Sequence, residues 1–234
     1  MVIMIHIFVV FLLQMFSYNT NMETFLNSLE SSFEKVNDYT CKLYKKELVD
    51  GKYTLRKNIN FKFKKPCYYY LNWTEGEDKG MEVIYAGKKY KNKLKVHPGG
   101  IMSFIDIAID PRGKKALEGC RHSVLDADFG SIIELMKKNY ELAQKHEGAE
   151  LQQLANGVVN GKASKVFKIT LPKDDIYYGH LIYLHLDEKS DLPLKFVVYD
   201  KNKKLLEDYE FWDLKVNVGL TDIDFDVDNP KYKF

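Results

Sequence analysis

The chain has 234 residues, with 35 Lys and Arg against 33 Asp and Glu, and a formal net charge of +2. No run of five like charges occurs, which argues against nucleic acid as a partner. Apolar residues make up 45% of the chain, enough for a sizeable core, and 16 Tyr, 14 Phe and 2 Trp favour strands over helices.

Residues 1–16 are apolar apart from His6 and Gln14, and the polar Ser17-Tyr18-Asn19-Thr20-Asn21 follows directly. The run has the length of a signal-peptide core and falls short of the ~20 residues of a spanning helix. We read residues 1–19 as a signal peptide, the protein as exported to the periplasm, and residues 20–234 as one domain. No Cys lies in the first forty residues, so a lipid-modified N-terminus has no acceptor.

Residues 22–37 carry Met22, Phe25, Leu26, Leu29, Phe33 and Val36 at helical spacing, with Asn21 placed to cap the first turn. From Tyr39 the period switches to two, giving predicted strands at 39–48, 53–64 and 68–73. A two-residue Asp50-Gly51 turn would set Leu43 opposite polar Asn58. A three-residue Asp50-Gly51-Lys52 loop with a bulge instead pairs Tyr39 with Phe63, Cys41 with Phe61 and Leu43 with Ile59, which keeps the apolar pattern in register. A turn at Lys65-Pro66-Cys67 then sets Tyr69, Leu71 and Trp73 beside Phe63, Phe61 and Ile59. Asn60, Lys62, Lys64 and Asn72 fall on the other face.

Cys41 and Cys67 are about six residues apart along this hairpin, roughly 20 Å, too far for a bridge. None of the three cysteines has C-x-x-C spacing, so neither zinc nor a dithiol redox site is expected.

A hairpin is predicted over 81–85 and 90–97 around Ala86-Gly87, ended by Pro98-Gly99-Gly100. Residues 101–130 are irregular, with Asp110-Pro111-Arg112-Gly113 and Asp128-Phe129-Gly130 as breakers. A second helix covers 131–146, with Ile132, Met136 and Ala143 on one face and Gly148 beyond its end. Strands follow at about 150–158, 163–171, 179–187, 193–200, 204–216 and 222–227. These antiparallel strands, several of them long, and two helices make a mainly β, α+β chain with a strongly curved sheet or partly open barrel.

The face formed by Leu43, Ile59, Phe61, Phe63, Tyr69, Leu71 and Trp73 must be buried, either as a filled core or as the wall of a cavity suited to acyl chains. No histidine pair has metal-ligand spacing and no nucleophile-elbow or paired-acid signature occurs, so we expect no catalytic residue, no metal and no cofactor. His122, beside Arg121 in an irregular segment, is read as a structural hydrogen-bonding group. Asp222, Asp224, Asp226 and Asp228 alternate with apolar residues but lack the Gly and Glu of a calcium loop, which reads as an edge strand with a solvated acidic face.

Several stretches carry a resemblance: Asp38-Tyr39-Thr40-Cys41, Lys64-Lys65-Pro66, Trp73 followed by Gly80 and Tyr85, Asp110-Pro111, Arg121-His122, and above all residues 186–234 with Asp187-x-x-x-x-Leu192-Pro193. Over roughly 22–234 the chain resembles bacterial exported proteins of unknown function described as outer-membrane lipoprotein-sorting proteins, in the LolA/LolB-like superfamily. The resemblance implies an incomplete antiparallel β-barrel closed by helices, with an apolar interior that accepts acyl chains of a lipid or lipoprotein. It implies no active site. The expected function is a non-catalytic periplasmic carrier, with a membrane-associated protein as a possible further partner. The alternative is a sensor or scaffold with a filled core that binds a protein through an edge strand.

Overall fold

The structure, a computed structural model, describes residues 21–234 except Glu147. The expected signal segment lies outside the described residues. Helix α1 (Met22–Glu34) is capped by the Asn21 side chain, which accepts a 2.8 Å bond from the Glu23 N–H. Strands β1 (Asp38–Val49), β2 (Lys52–Lys64), β3 (Tyr68–Trp73), β4 (Glu82–Tyr85), β5 (Leu94–His97) and β6 (Ile107–Ile109) precede helix α2 (Phe129–Gln144). Strands β7 (Glu150–Gln153), β8 (Gly157–Val159), β9 (Lys162–Thr170), β10 (Leu181–Asp187), β11 (Pro193–Tyr199) and β12 (Leu205–Val216) follow.

All twelve strands form one antiparallel sheet in the order β6-β5-β4-β3-β2-β1-β12-β11-β10-β9-β7, with β8 also paired to β9. The terminal strands β6 and β7 are not paired with each other, so the sheet curls into an incomplete barrel. Helices α1 and α2 pack over its concave face, where Phe25 lies against Phe167 with ring centroids 4.5 Å apart.

The expected pairs Tyr39–Phe63, Cys41–Phe61 and Leu43–Ile59 are present, as are Ile59–Trp73, Phe61–Leu71 and Phe63–Tyr69. The device that sets them differs from the expected loop. Asp50 and Gly51 form a two-residue turn, both at positive φ, between Val49 and Lys52. The extra residue sits instead in a bulge six residues along β2, where Asn58 takes φ 49°. A left-handed turn suits Asp-Gly and a bulge suits Asn, so the chain satisfies both preferences at separate places.

Other boundaries also shift. The second strand of the hairpin expected over 81–97 begins at Leu94 rather than Tyr90, because Tyr90 closes a 3₁₀ turn over 87–90 and left-handed Lys91 and Asn92 follow it. Asp128-Phe129-Gly130 starts α2 rather than breaking the chain, because Asp128 caps the helix by accepting the Ser131 N–H at 3.1 Å. Residues 150–158 divide into β7 and β8.

Residues 222–225 form a 3₁₀ turn, not the expected edge strand, and their acidic side chains are not simply solvated. Phe225 and Tyr232 cover the sheet's convex face at Tyr70 and Ile84, with Tyr232 stacked on Tyr70 at 4.1 Å. Asp224 and Asp222 pair with Lys62 and Lys64, each at 2.7 Å, and Asp226 pairs with Lys89. The outward lysines of β2 are thus partners for a C-terminal strap, a role that strand alternation cannot reveal.

Candidate ligand cavity

Between the concave face and the helices lies a cavity of about 980 Å³. Its apolar wall follows the sheet row by row. Leu71, Val83, Val96 and Ile107 are consecutive cross-strand neighbours from β3 to β6, and all line the space. On the other arm Phe196 pairs with Leu184, and Val198 with Ile182. Met22 and Leu26 of α1 and Ile132, Met136 and Tyr140 of α2 form the roof. Arg112, Lys115, Glu118, Asp126 and Lys138 also border it, so charged side chains meet an otherwise apolar interior.

Of the seven residues expected to contact a ligand, Leu43, Ile59, Leu71 and Trp73 line the cavity. Phe61, Phe63 and Tyr69 do not; they lie one layer away, in a packed aromatic end. There Phe129 stacks on Tyr39 at 4.5 Å and meets Phe211 edge-on at 4.9 Å, while Phe63 lies 5.4 Å from Tyr69. The Tyr69 hydroxyl donates to Asp128 at 2.7 Å, tying the start of α2 to the sheet. Burial first, and then the neighbouring Asp128 carboxylate, push the Tyr69 pKa upward, so it stays a neutral donor. Three strands share an apolar face, but the Phe129 side chain fills one end of it and leaves the other open. The face therefore contains both the filled core and the lined cavity that the sequence left as alternatives.

The sequence reading missed a polar patch in the cavity wall. On β1 and β12 the inward positions run Leu43–Phe211, Lys45–Tyr209 and Glu47–Glu207, as cross-strand pairs. Thus two carboxylates, Glu47 at 0% and Glu207 at 1% exposure, lie on the inner face of central strands. Arg121, His122 and Tyr178 reach them from connecting segments. His122 Nε2 lies 2.6 Å from Glu207 Oε1 and 2.9 Å from the Tyr178 hydroxyl, which itself donates to Glu207. Arg121 donates to the Tyr178 oxygen at 2.8 Å and to the Leu48 carbonyl at 2.7 Å. Glu47 accepts from Tyr209 and, at 3.3 Å, from the Arg121 N–H, and its Oε2 pairs with Lys45 Nζ at 2.8 Å.

Burial alone would raise the Glu47 pKa, but Lys45 and these donors outweigh it and hold the carboxyl below the usual range. Burial and the adjacent carboxylates raise Tyr178 and Tyr209, keeping both phenols protonated as donors. The signal was present in the sequence as Lys45, Glu47 and Glu207 at inward positions of otherwise apolar strands, where unpaired charge is not tolerated. His122 is hydrogen-bonded to Glu207 and Tyr178, and it also lines the cavity.

A curved antiparallel sheet, open along one seam and roofed by two helices over an apolar cavity, defines an incomplete-barrel container. The chain belongs to the family described as protein of unknown function DUF1571, whose profile matches residues 36–234. No curated protein sequence matches it. Similar solved structures include the lipoprotein LppX of Mycobacterium tuberculosis, 11% identical with a TM-score of 0.48, covering 86% of this chain and 99% of that one. A putative outer membrane lipoprotein-sorting protein domain from Vibrio parahaemolyticus is 14% identical with a TM-score of 0.41, covering 86% and 94%. A chain of the Pseudomonas aeruginosa MucA/MucB complex is 14% identical with a TM-score of 0.44, covering 86% of this chain and 59% of that one. Among the described residues no helix is long and apolar enough to cross a membrane.

Proposed function

We propose that this protein is an exported, non-catalytic carrier that binds the acyl chain of a lipid or lipoprotein reversibly in the cavity, within the periplasm. Residues 1–19 act as its signal peptide and residues 20–234 as one folded unit. The observation that carries the reading is the 980 Å³ space walled by Leu43, Ile59, Leu71, Trp73, Leu184 and Phe196. Its volume lies in the upper range of small-molecule pockets. Sequestering a sixteen-carbon chain gains about 12 kcal/mol at ~0.8 kcal/mol per methylene. Lost freedom offsets roughly 4 kcal/mol or more of that, leaving binding firm but reversible. The sensor or scaffold alternative presumes a filled core, which the open space does not favour.

Native mass spectrometry and organic extraction of protein taken from the exported fraction of its own host test the reading. Lipid is expected at a fixed stoichiometry. Bare protein at the polypeptide mass, which also fails to take up methyl oleate and 1-monooleoylglycerol when titrated, refutes it.

A further inference from the structure

Glu207, a buried carboxylate, lines the apolar cavity beside its equally buried cross-strand neighbour Glu47; such burial is costly, and anchoring the Arg121 segment does not require both. Arg121 makes its shortest bonds to the Leu48 carbonyl and the Tyr178 hydroxyl, and lies 3.3 Å from Glu207. Every contact to Glu207, from His122, Tyr178 and Arg121, converges on Oε1. Its Oε2 accepts no hydrogen bond among the described residues, although the side chain is 1% exposed and lines the cavity. Lys45, which also lines it, makes one ion pair, to Glu47, and so retains ammonium N–H donors.

Building on the carrier reading, we propose that Glu207 and Lys45 form a head-group subsite for an amphiphile whose head is uncharged and offers a hydroxyl or amide N–H. A free carboxylate oxygen calls for a donor, and a hydroxyl can donate to Glu207 while accepting from Lys45. The patch is already charge-balanced, Lys45 and Arg121 against Glu47 and Glu207, with Arg56 paired to Asp78 at 2.7 Å. No net positive charge therefore remains to offset a phosphate, and Glu207 would repel one. The apolar rows from Leu71 to Ile107 and from Ile182 to Phe196 receive the chain, so the subsite fixes which end of the ligand lies against β1 and β12.

The test titrates the full chain with three probes of equal chain length: 1-monooleoylglycerol, methyl oleate and oleoyl lysophosphatidic acid. The glycerol ester should bind about tenfold more tightly than the methyl ester, as one charge-assisted hydrogen bond requires, with the phosphate ester weaker than the glycerol ester. Glu207→Gln should reduce the preference of the glycerol ester over the methyl ester below threefold; a retained preference would overturn the subsite. Should that variant fail to fold, the wild-type ratio still decides. Equal affinity for the two neutral esters, or tightest binding of the phosphate ester, overturns the subsite and leaves the carrier reading standing. Binding of none of the three overturns both.

Discussion

Replacing Lys45 by Met examines the buried patch through stability and its pH dependence. Glu47 is wholly buried, and its Oε2 lies 2.8 Å from Lys45 Nζ, whose side chain is 14% exposed. Removing one partner of a buried pair costs about 3–5 kcal/mol. Glu47 keeps the Tyr209 hydroxyl and the Arg121 N–H, which places Lys45→Met near the lower end, about 3 kcal/mol at pH 7.5. For a chain of this size that lowers Tm by roughly 6–12 °C. In the wild type the Glu47 pKa is depressed, so its stabilisation is present above the unfolded value, about 4.3, and is lost as pH falls through the folded value. Without Lys45, only the Tyr209 and Arg121 donors oppose burial, the largest influence on this group, so the folded pKa moves up past the unfolded one. The variant's penalty then grows as pH rises and fades toward pH 4. Urea unfolding of both proteins at pH 7.5 and pH 4 should show the difference between them shrinking at the lower pH. An equal difference at both, or a loss under about 0.5 kcal/mol at pH 7.5, would refute the reasoning.

Two further outcomes separate other parts of the molecule. Phe61→Leu, one layer from the cavity, should cost about 1–2 kcal/mol in urea unfolding yet leave acyl-chain uptake unchanged, whereas Val96→Trp on the cavity wall should cut uptake while changing stability by less than about 1.5 kcal/mol. Uptake lost in the first and kept in the second would reverse the assignment of the two layers. The C-terminal strap should loosen in acid: bonding to Lys64 and Lys89 depresses Asp222 and Asp226, and the Lys62 bond outweighs burial at Asp224. Their contribution is present above the ordinary aspartate value near 3.9 and is lost as pH falls below it through the folded values, so protease cleavage within residues 217–234 should rise at pH 3 relative to pH 6. Cleavage independent of pH would sink this account.

The central strands were legible because apolar alternation fixes register once one face is buried. Tyr39, Cys41 and Leu43 could find Phe63, Phe61 and Ile59 without knowledge of the turn. The turn itself was misread because register reports only the sum of turn and bulge, and Asn58 carries the added residue at a distance. Division of the aromatic face into core and cavity was not legible, since it depends on where Phe129 of α2 inserts, a contact distant in sequence. Residues 222–227 alternate like a strand, yet the partners that fold them over Tyr70 lie on β2, β3 and the segment after β4. Lys45, Glu47 and Glu207 were readable as inward charges, but their partners Arg121, His122 and Tyr178 come from irregular segments that periodicity does not order in space.

The unpaired seam between β6 and β7 bears on how such a vessel accommodates its contents. A closed barrel has a circumference fixed by its hydrogen-bond ladder, and widening it breaks backbone bonds. Here the ladder ends at both lips, so the sheet can flex outward at the cost of side-chain contacts with α1 and α2 alone. The space it encloses is accordingly adjustable, like that of a purse rather than a pipe, and under the carrier proposal one set of strands would hold chains of different length.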